Sequence, residues 1–372
     1  MTRDRVAIPW LPSRACADRG GARLHVVYPA REQMPPPPTF VGSLRVDMLR
    51  FLDPHIPDLG VLELSRPLVY GRHGWIVSRD GFLLPEQSWY GGDVERMRLP
   101  ARLPTGTVLP GTSLSLASDF AGRSYGHYLL ESLSRMHVFL AAGFTLDAVD
   151  HVVCQRPPTA EAALHFSRLG VPADKCVWIA DGTALRPERL LSPGFPGTKR
   201  NYPGWVPAYL KQAFGASAAT PHRRLWIGRE GLRRTAINGA DVRRTLEAHG
   251  FEAYDVAAAA NPADDFAAAA MVVSPHAGAL ADLAFCAPGT RVLELMPSDH
   301  PAPYYYTLSL AAGLDYRCLV CRSLNERPGP LRSPSTFEFA VDIDELSAAL
   351  SGMERLPVAD GGAVPGSPIR RT

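Results

Sequence analysis

Apolar segments with strand spacing and segments with helix spacing alternate along most of this chain, and this alternation limits its possible folds more than any other feature. In the second half, four helical segments separate five short apolar ones. The five apolar segments are RLWI (224–227), FEAYDV (251–256), MVVS (271–274), RVLEL (291–295) and YRCLV (316–320). Such alternation is typical of a parallel sheet covered by helices, so it predicts a doubly wound α/β domain.

The ends of the helices predicted in this half carry the residues that favour helix ends. Asn238 begins a helix that runs to His249, and Gly250 ends it because glycine tolerates the backbone conformation that follows a helix. Asn261 begins the next helix and Pro262 takes its first position. Local signals and periodicity therefore predict the same elements.

The alternation begins at about residue 110, after a first hundred residues that are rich in proline and turn signals. Strands are predicted at 113–118, 151–155 and 175–180, and helices at 126–142, 160–169 and 207–214. The stretch GASAATPHRR then has the composition of a linker. The predicted parts are a β-rich segment of the first lobe (1–100), a Rossmann-like first lobe (101–215), a Rossmann-like second lobe (222–335), a strand and helix (336–356) and a disordered tail (357–372).

Charge and hydropathy exclude several classes of protein. The formal net charge is only +2 at pH 7, which argues against nucleic acid as the main partner. No apolar run approaches the ~20 residues that span a bilayer, and the N-terminus lacks the apolar stretch of a secretory signal. We therefore expect a cytoplasmic protein.

The six cysteines include one C-x-x-C pair, Cys318 and Cys321, inside a predicted strand. A zinc site needs a second pair of ligands, and no obvious one exists. We expect these two side chains to help fill a core.

Arginines follow the first strand of the second lobe, at the place where open α/β sheets bind ligands. Arg229, Arg233 and Arg234 come directly after RLWI. Their planar guanidinium groups match the oxygens of a diphosphate. A solvated surface loop is the alternative interpretation.

Two further strands of this lobe carry polar residues near their carboxyl ends. His276 follows MVVS and precedes Gly278 and Ala279, where the N–H groups of a helix start favour an anion. A structural hydrogen bond is the alternative role for His276. Glu294 lies in RVLEL, and we expect it to emerge at the sheet edge and accept hydrogen bonds from ribose hydroxyls, or else to pair with an arginine.

The helix predicted at 126–142 has a polar face opposite an apolar stripe of Leu129, Leu133, Met136 and Leu140. His127, Glu131 and Arg135 are four residues apart and share that polar face. An exposed ion pair between Glu131 and Arg135 would explain part of the pattern, and a catalytic role for His127 and Glu131 is the alternative.

Taken together, these segments resemble the signatures of family 61 glycosyltransferases. GHYLLESLSRM (126–136) is similar to the family's GHW-leucine-leucine-acid…LPRL motif, with Tyr128 in place of tryptophan. The later block contains SPHAGALADLAF and then PGTRVLEL, similar to "HGAGL-x-N-x-x-F", "PG" and "EL". Asp282 replaces the asparagine of that motif, and His276-Ala277-Gly278 stands for "HGA". The resemblance covers about residues 110–320.

The resemblance implies a GT-B architecture, in which two Rossmann-like lobes face each other and the donor sits mainly on the second lobe. It also implies inversion at the anomeric carbon. The expected donor is a nucleotide-sugar and the expected acceptor a glycan or lipid-linked glycan, in surface polysaccharide synthesis. Association with the periphery of the inner membrane fits such an acceptor.

On this basis we expect Glu131 to be the catalytic base, with His127 as the second choice. Arg229, either Arg233 or Arg234, and His276 are expected to hold the donor diphosphate without a metal. The one D-x-D motif, Asp342 to Asp344, fits a helix cap instead of a metal site.

Two other functions remain open from the sequence. A binder of nucleotide-sugars or polysaccharides with the same fold would lack the base, but an acid is present at position 131. A dehydrogenase is disfavoured because no G-x-G-x-x-G follows the first strand of either lobe.

Overall fold

The computed structural model describes residues 5–88, 94, 97–197, 201–215, 220–229, 235–256, 258–324 and 338–355. The chain forms two compact units. Unit 1 contains Met1–Met34 and Leu52–Tyr209, and unit 2 contains Pro35–Phe51 and Leu210–Thr372. The N-terminal part of the chain therefore contributes to both units.

Strands and helices occur in both units and are numbered here in chain order. The strands are β1 (Arg5–Val6), β2 (Ala22–Tyr28), β3 (Arg31–Glu32), β4 (Thr39–Val41), β5 (His55–Ile56), β6 (Leu59–Ser65), β7 (Leu68–Tyr70), β8 (Trp75–Val77), β9 (Leu99–Pro100), β10 (Thr107–Ser115), β11 (His151–Cys154), β12 (Cys176–Trp178), β13 (Ala184–Pro193), β14 (Arg223–Trp226), β15 (Glu252–Ala253), β16 (Ala269–Pro275), β17 (Arg291–Pro297), β18 (Asp315–Ser323) and β19 (Phe339–Ala340). The α-helices are α1 (Ser13–Asp18), α2 (Tyr125–His127), α3 (Arg135–Ala141), α4 (Ala160–Arg168), α5 (Trp205–Phe214), α6 (Gly239–Ala248), α7 (Pro262–Ala267), α8 (Tyr304–Ala312) and α9 (Ile343–Glu354). A π-helix spans Tyr128–Leu133, and 3-10 helices span Leu49–Phe51, Pro85–Gln87, Leu146–Ala148, Ala173–Lys175 and Gly278–Phe285.

Unit 1 is built on a mixed sheet with the order β12-β11-β10-β13-β6-β2. The first four strands in this order are parallel, whereas β6 and β2 extend the sheet in antiparallel fashion. Within the parallel part, the chain order is 3-2-1-4, which is the order of the first four strands of a Rossmann fold. The strand order reverses between β10 and β13, and ligands bind such sheets beyond the carboxyl ends at this point.

Strand β13 was not expected from the sequence, because ALRPERLLSP contains three charged residues and two prolines, of which Pro187 lies in the interior of the strand. Proline cannot donate to a neighbouring strand and is rare in the middle of a sheet. The structure accommodates it with an irregularity in β10: Leu109 pairs with Pro187, and the register shifts before Thr112. A bulge at this position lets the strand lie inside the sheet despite the proline.

Unit 2 has a sheet with the order β15-β14-β16-β17-β18-β19. Strands β14 to β18 are parallel and follow the chain order 2-1-3-4-5, a doubly wound arrangement that reverses between β14 and β16. The α/β class is therefore confirmed. Strand β4 was not expected; it adds to β18 in parallel, with Thr39 opposite Arg317, and so brings an early segment into this unit.

The core of unit 2 shows why its elements were visible in the sequence. Val242 and Leu246, one turn apart on α6, are fully buried. They pack in one cluster with Trp226 of β14 and with Leu346 and Leu350 of α9. Burial of side chains of this size contributes about 1.5–3 kcal/mol each, so the periodic apolar positions largely determine the fold of this unit.

The helix expected at 126–142 is interrupted by the π-helix. A π-turn bonds residues five apart, so it rotates the residues that follow relative to a regular helix. The expectation for Leu140 was wrong, since 47% of it is exposed, while Leu129, Leu133 and Met136 are buried. The polar face was not on the surface either, because Glu131 is 1% exposed and Arg135 is fully buried.

Two smaller expectations are confirmed. Asp342 caps α9, and its Oδ1 accepts hydrogen bonds from the backbone N–H groups of Asp344 and Glu345, both at 3.0 Å. Cys318 and Cys321 are both buried in β18, where residues three apart point to opposite faces.

Among the residues that the structure describes, no helix has the length and apolar character to cross a membrane.

Candidate functional site

A histidine held by a buried glutamate lies in the segment that follows β10 in unit 1. Oε2 of Glu131 is 2.9 Å from Nδ1 of His127, and the hydroxyl of Tyr202 donates to Oε1 of the same carboxylate. The Glu131 side chain is 1% exposed, whereas 24% of the His127 side chain is exposed. The imidazole is therefore the part of this pair that faces solvent, and the carboxylate lies behind it.

The alternative ion pair between Glu131 and Arg135 does not form. Arg135 instead donates from Nε to the carbonyl oxygen of Pro193 at 2.7 Å and from Nη1 to that of Ala117. Nη2 donates to Ser192 Oγ at 3.2 Å. Burial lowers the pKa of Arg135 to about 9, so the group stays charged at neutral pH. Arg135 thus joins the carboxyl ends of β10 and β13 and does not act on Glu131.

We expect Arg135→Met to lower the free energy of unfolding by about 2–5 kcal/mol, because the carbonyl oxygens of Ala117 and Pro193 would lose their donor. Denaturant unfolding measures this change. Arg244→Met on α6, where the side chain is 77% exposed, is the matched control and should cost less than about 0.5 kcal/mol. Equal losses in the two variants would show that Arg135 has no special structural role.

Tyr202 reaches Glu131 from a position between β13 and α5, in the sequence PGFPGTKRNYPGWV, where prolines and glycines interrupt the periodic pattern. Gly197 allows this approach, since a Cβ atom there would be 2.4 Å from Cε1 of the Tyr202 ring. Tyr202 is 4% exposed. Apart from the unusual density of glycine and proline, nothing in the sequence indicates this contact.

Gly197→Ala is expected to displace the Tyr202 ring and to lower turnover about tenfold, through loss of a hydrogen bond to a charged group. Tyr202→Phe, which removes only the hydroxyl, should cause a similar loss. Gly239→Ala is a control, because its Cβ would meet nothing within 4 Å. Parental turnover in both Gly197→Ala and Tyr202→Phe would remove Tyr202 from the site.

Unit 2 contains a second histidine held by a glutamate. Nδ1 of His276 is 2.5 Å from Oε1 of Glu294, and the hydroxyl of Tyr316 donates to Oε2 at 2.6 Å. Burial and the negative charge of Glu294 raise the pKa of Tyr316, so its hydroxyl remains a donor.

The position of Glu294 differs from the one expected from the sequence. It is fully buried within β17 and does not emerge at the sheet edge. Its Oε1 contacts Nδ1 of His276, and its Oε2 accepts a hydrogen bond from the hydroxyl of Tyr316. Glu294 is therefore placed to orient His276.

Other predicted donor residues lie where the strand order of unit 2 reverses. Arg229 follows β14 and is half-buried, and His276 follows the adjacent strand β16. Gly278 and Ala279 begin the 3-10 helix Gly278–Phe285, and the first N–H groups of a helix have no partner within it. These groups all belong to the edge of the sheet where ligands bind. Arg233 and Arg234 lie outside the described residues.

Aromatic rings surround His276, and no motif or spacing in the sequence predicts these contacts. The ring centroids of Tyr305, His300 and Tyr304 lie 4.9, 5.2 and 6.0 Å from that of His276. The two tyrosines begin α8, which periodicity identified only as a helix. The spacing of apolar residues in this segment predicts a helix, but it does not predict that the two tyrosines contact His276.

The two units share a local arrangement despite their different sheets. In each, a histidine follows a parallel strand, a buried glutamate contacts its Nδ1, and a tyrosine hydroxyl donates to that glutamate. The histidines differ in accessibility, because 24% of the His127 side chain but only 4% of the His276 side chain is exposed. Within the described parts of the chain, no group of three or more His, Cys, Asp or Glu side chains has the arrangement of a metal site.

Comparison with known proteins identifies a segment that contains both site histidines, His127 and His276, and ends just before Glu294. The family model of glycosyltransferase 61 matches residues 125–293, which confirms the resemblance and supports glycosyltransferase activity. No curated protein matches the chain. Among solved structures, a shikimate 5-dehydrogenase from Mycobacterium fortuitum is 15% identical in sequence. The alignment covers 58% of this chain and 88% of the dehydrogenase chain, with a TM-score of 0.17. A similarity this weak carries no argument about fold or function.

Proposed function

We propose that this chain, which matches glycosyltransferase 61 over residues 125–293, is an inverting glycosyltransferase that moves a sugar from a nucleotide-sugar to a glycan hydroxyl. The observation that carries the proposal is the pair of glutamate-held histidines, one in each unit, within or beside the matched segment. A GT-B architecture is part of the proposal.

The donor site is assigned to unit 2. Arg229, together with Arg233 or Arg234, binds the diphosphate, and the N–H groups of Gly278 and Ala279 add further donors. His276 donates to a phosphate or sugar oxygen, and Glu294 fixes the orientation of its ring. Negative charge grows on the leaving nucleotide as the glycosidic bond breaks, and fixed positive groups stabilise that charge without having to reorganise.

The base is assigned to unit 1. An inverting transfer needs one group that accepts the proton of the acceptor hydroxyl as its oxygen attacks the anomeric carbon. His127 is the more exposed member of its pair, and Glu131 holds its Nδ1, so we assign proton transfer to His127 and positioning to Glu131. The sequence favoured the reverse order, with Glu131 as the base, and this remains the alternative.

We propose that the reaction does not need a divalent metal, because arginines and a helix start provide the positive charge that a metal would otherwise supply. The D-x-D motif supports this proposal, since Asp342 is used to cap α9. Turnover should therefore persist in excess chelator, measured as nucleotide release. Loss of turnover that Mn²⁺ or Mg²⁺ restores would contradict this prediction.

The acceptor is proposed to be a glycan or a lipid-linked glycan, in the synthesis of a surface polysaccharide. A cytoplasmic location, at the periphery of the inner membrane, would give access to both the nucleotide-sugar and a lipid-linked acceptor. Nucleic acid has no part in this function.

The proposal is tested by incubating the purified chain with UDP-, GDP- and CMP-sugars, with and without a mixture of glycan acceptors, and measuring released nucleotide. We expect release with one nucleotide class that increases when an acceptor is present. Binding of a nucleotide-sugar without any release would instead favour a non-catalytic binder of the same fold. Failure of every nucleotide-sugar to bind would reject both functions.

A further inference from the structure

A pocket of about 290 Å³ lies in unit 1, beside the His127 site but not part of it. Its lining includes Tyr70, Arg72, His73, Trp75, Arg98 and Asp181. The volume lies close to the lower end of the roughly 300–1,000 Å³ range of small-molecule sites. A pocket of this size, with aromatic and charged walls, suits one sugar unit.

The turn between β7 and β8 forms one wall and is fixed against the carboxyl end of β10. Gln155 donates from Nε2 to the carbonyl oxygens of Arg72 and Ser118, at 2.8 and 2.6 Å. Gly74 has a φ of +66°, and a Cβ atom there would be 2.3 Å from Cβ of Ala117. Only glycine lets the turn approach the strand end this closely.

One aromatic ring separates this wall from the proposed base. The ring centroid of Phe120 lies 6.4 Å from that of His73 and 5.2 Å from that of His127. The pocket and His127 are therefore close enough to hold adjacent sugar units of one glycan chain. One unit would lie in the pocket, and the next would place its hydroxyl at His127.

Hydrogen bonds hold the wall rigid and orient the ring of His73. Nε of Arg72 donates to Nε2 of His73 at 3.1 Å, so Nδ1 carries the proton and donates to the carbonyl oxygen of Asp119 at 2.8 Å. Trp75 donates to Oδ1 of Asp119 at 2.9 Å, and its ring stacks on His73 at 5.2 Å. The negative charge of Asp119 lies behind these rings, since its side chain is only 3% exposed.

The charges that line the pocket favour an anion. Arg72 and Arg98 are cationic, whereas Asp181 is the single acid among the described residues that line the pocket. Asp181 is 80% exposed and its Oδ2 is 3.5 Å from Nη1 of Arg72, a geometry in which an ion pair contributes little. A carboxylate or phosphate on a ligand can therefore replace Asp181 at the guanidinium of Arg72.

We propose that this pocket binds an anionic sugar unit of the acceptor, carrying either a carboxylate or a phosphate, and so places the neighbouring hydroxyl at His127. The role of the bound sugar as an acceptor rests on the proposed function. The preference of the pocket for an anionic sugar does not depend on sugar transfer. Arg72 recognises the anionic group, and the ring of Trp75 contacts the sugar.

The test measures binding of three probes to the full chain by NMR titration: methyl β-glucuronide, glucose 6-phosphate and methyl β-glucoside. At least one anionic probe is expected to bind at least tenfold more tightly than the glucoside, and whichever binds more tightly identifies the anionic group. Arg72→Gln should abolish this preference, whereas Arg244→Gln in unit 2 should preserve it. Asp181→Asn, at an exposed position where folding is not at risk, should strengthen anionic binding several-fold.

Equal binding of the three probes, or an unchanged preference in both Arg72→Gln and Asp181→Asn, would overturn the inference. Its failure is distinguishable from failure of the proposed function. Selective anionic binding without turnover of any nucleotide-sugar would reject the function and leave the anion site in place. Turnover with neutral acceptors and no selective binding would reject the anion site and leave the function in place.

Discussion

Replacement of His127 by glutamine is expected to lower turnover by about a hundredfold to ten-thousandfold, with folding and nucleotide-sugar binding preserved. The acceptor oxygen must lose its proton as it attacks, and a glutamine amide cannot accept that proton at neutral pH. The donor groups in unit 2 are untouched by the change. Turnover is measured by nucleotide release, and donor binding by calorimetry on the same preparation.

Glu131→Gln separates the two assignments for the base. If His127 is the base and Glu131 orients it, both variants lose turnover and His127→Gln loses more. If Glu131 is the base, Glu131→Gln loses nearly all turnover while His127→Gln retains most of it. Glu247→Gln, at an exposed position on α6, is the matched control and should behave like the parent. Near-parental turnover in both site variants would remove this pair from the mechanism.

Replacement of Arg229 by alanine is expected to lower turnover by about a hundredfold to a thousandfold and to weaken donor binding as well. The guanidinium would stabilise both the bound diphosphate and the charge that grows on the leaving nucleotide. Arg244→Ala controls for the loss of a positive charge elsewhere in unit 2, because that side chain is 77% exposed.

The pattern of losses distinguishes Arg229 from the base. His127→Gln should leave the dissociation constant of the nucleotide-sugar unchanged, whereas Arg229→Ala should raise it. An Arg229→Ala variant that binds and turns over donor like the parent would rule out this arginine as a phosphate ligand. The donor site would then have to be sought away from the carboxyl end of β14.

The strands of unit 2 could be predicted from sequence because local signals and burial agree there. Except for the exposed pair Glu252–Ala253 of β15, the strands β14 to β18 contain buried apolar runs, and α6 has a buried stripe. Asn238 and Asn261 stand at the starts of α6 and α7 as expected, but neither side chain caps its helix with a hydrogen bond. β4 and β13 could not be predicted in this way. β4 is three residues long and pairs with a strand far along the chain, and β13 contains charges and a proline that a bulge in β10 accommodates.

The candidate site was predictable only at the level of residue types. His127, Glu131, Arg229, His276 and Glu294 were identified because they match motif positions or follow strands. Their partners were not, because Tyr202 is 71 residues from Glu131 and Tyr316 is 22 residues from Glu294. The π-helix also has no periodic signature, and all of its residues, Glu131 included, are buried.

The anomeric configuration of the first-formed product is the most direct test of the proposed mechanism. In that mechanism the acceptor oxygen displaces the nucleotide in a single step while a general base in unit 1 accepts its proton. Once a donor has been identified, ¹H NMR during the reaction distinguishes the α- and β-linked products. The expected result is a product whose anomeric configuration is opposite to that of the donor sugar, formed by the parent and almost absent with His127→Gln. A product that retains the donor configuration would contradict the proposed mechanism, because retention is not compatible with one direct attack by a deprotonated acceptor.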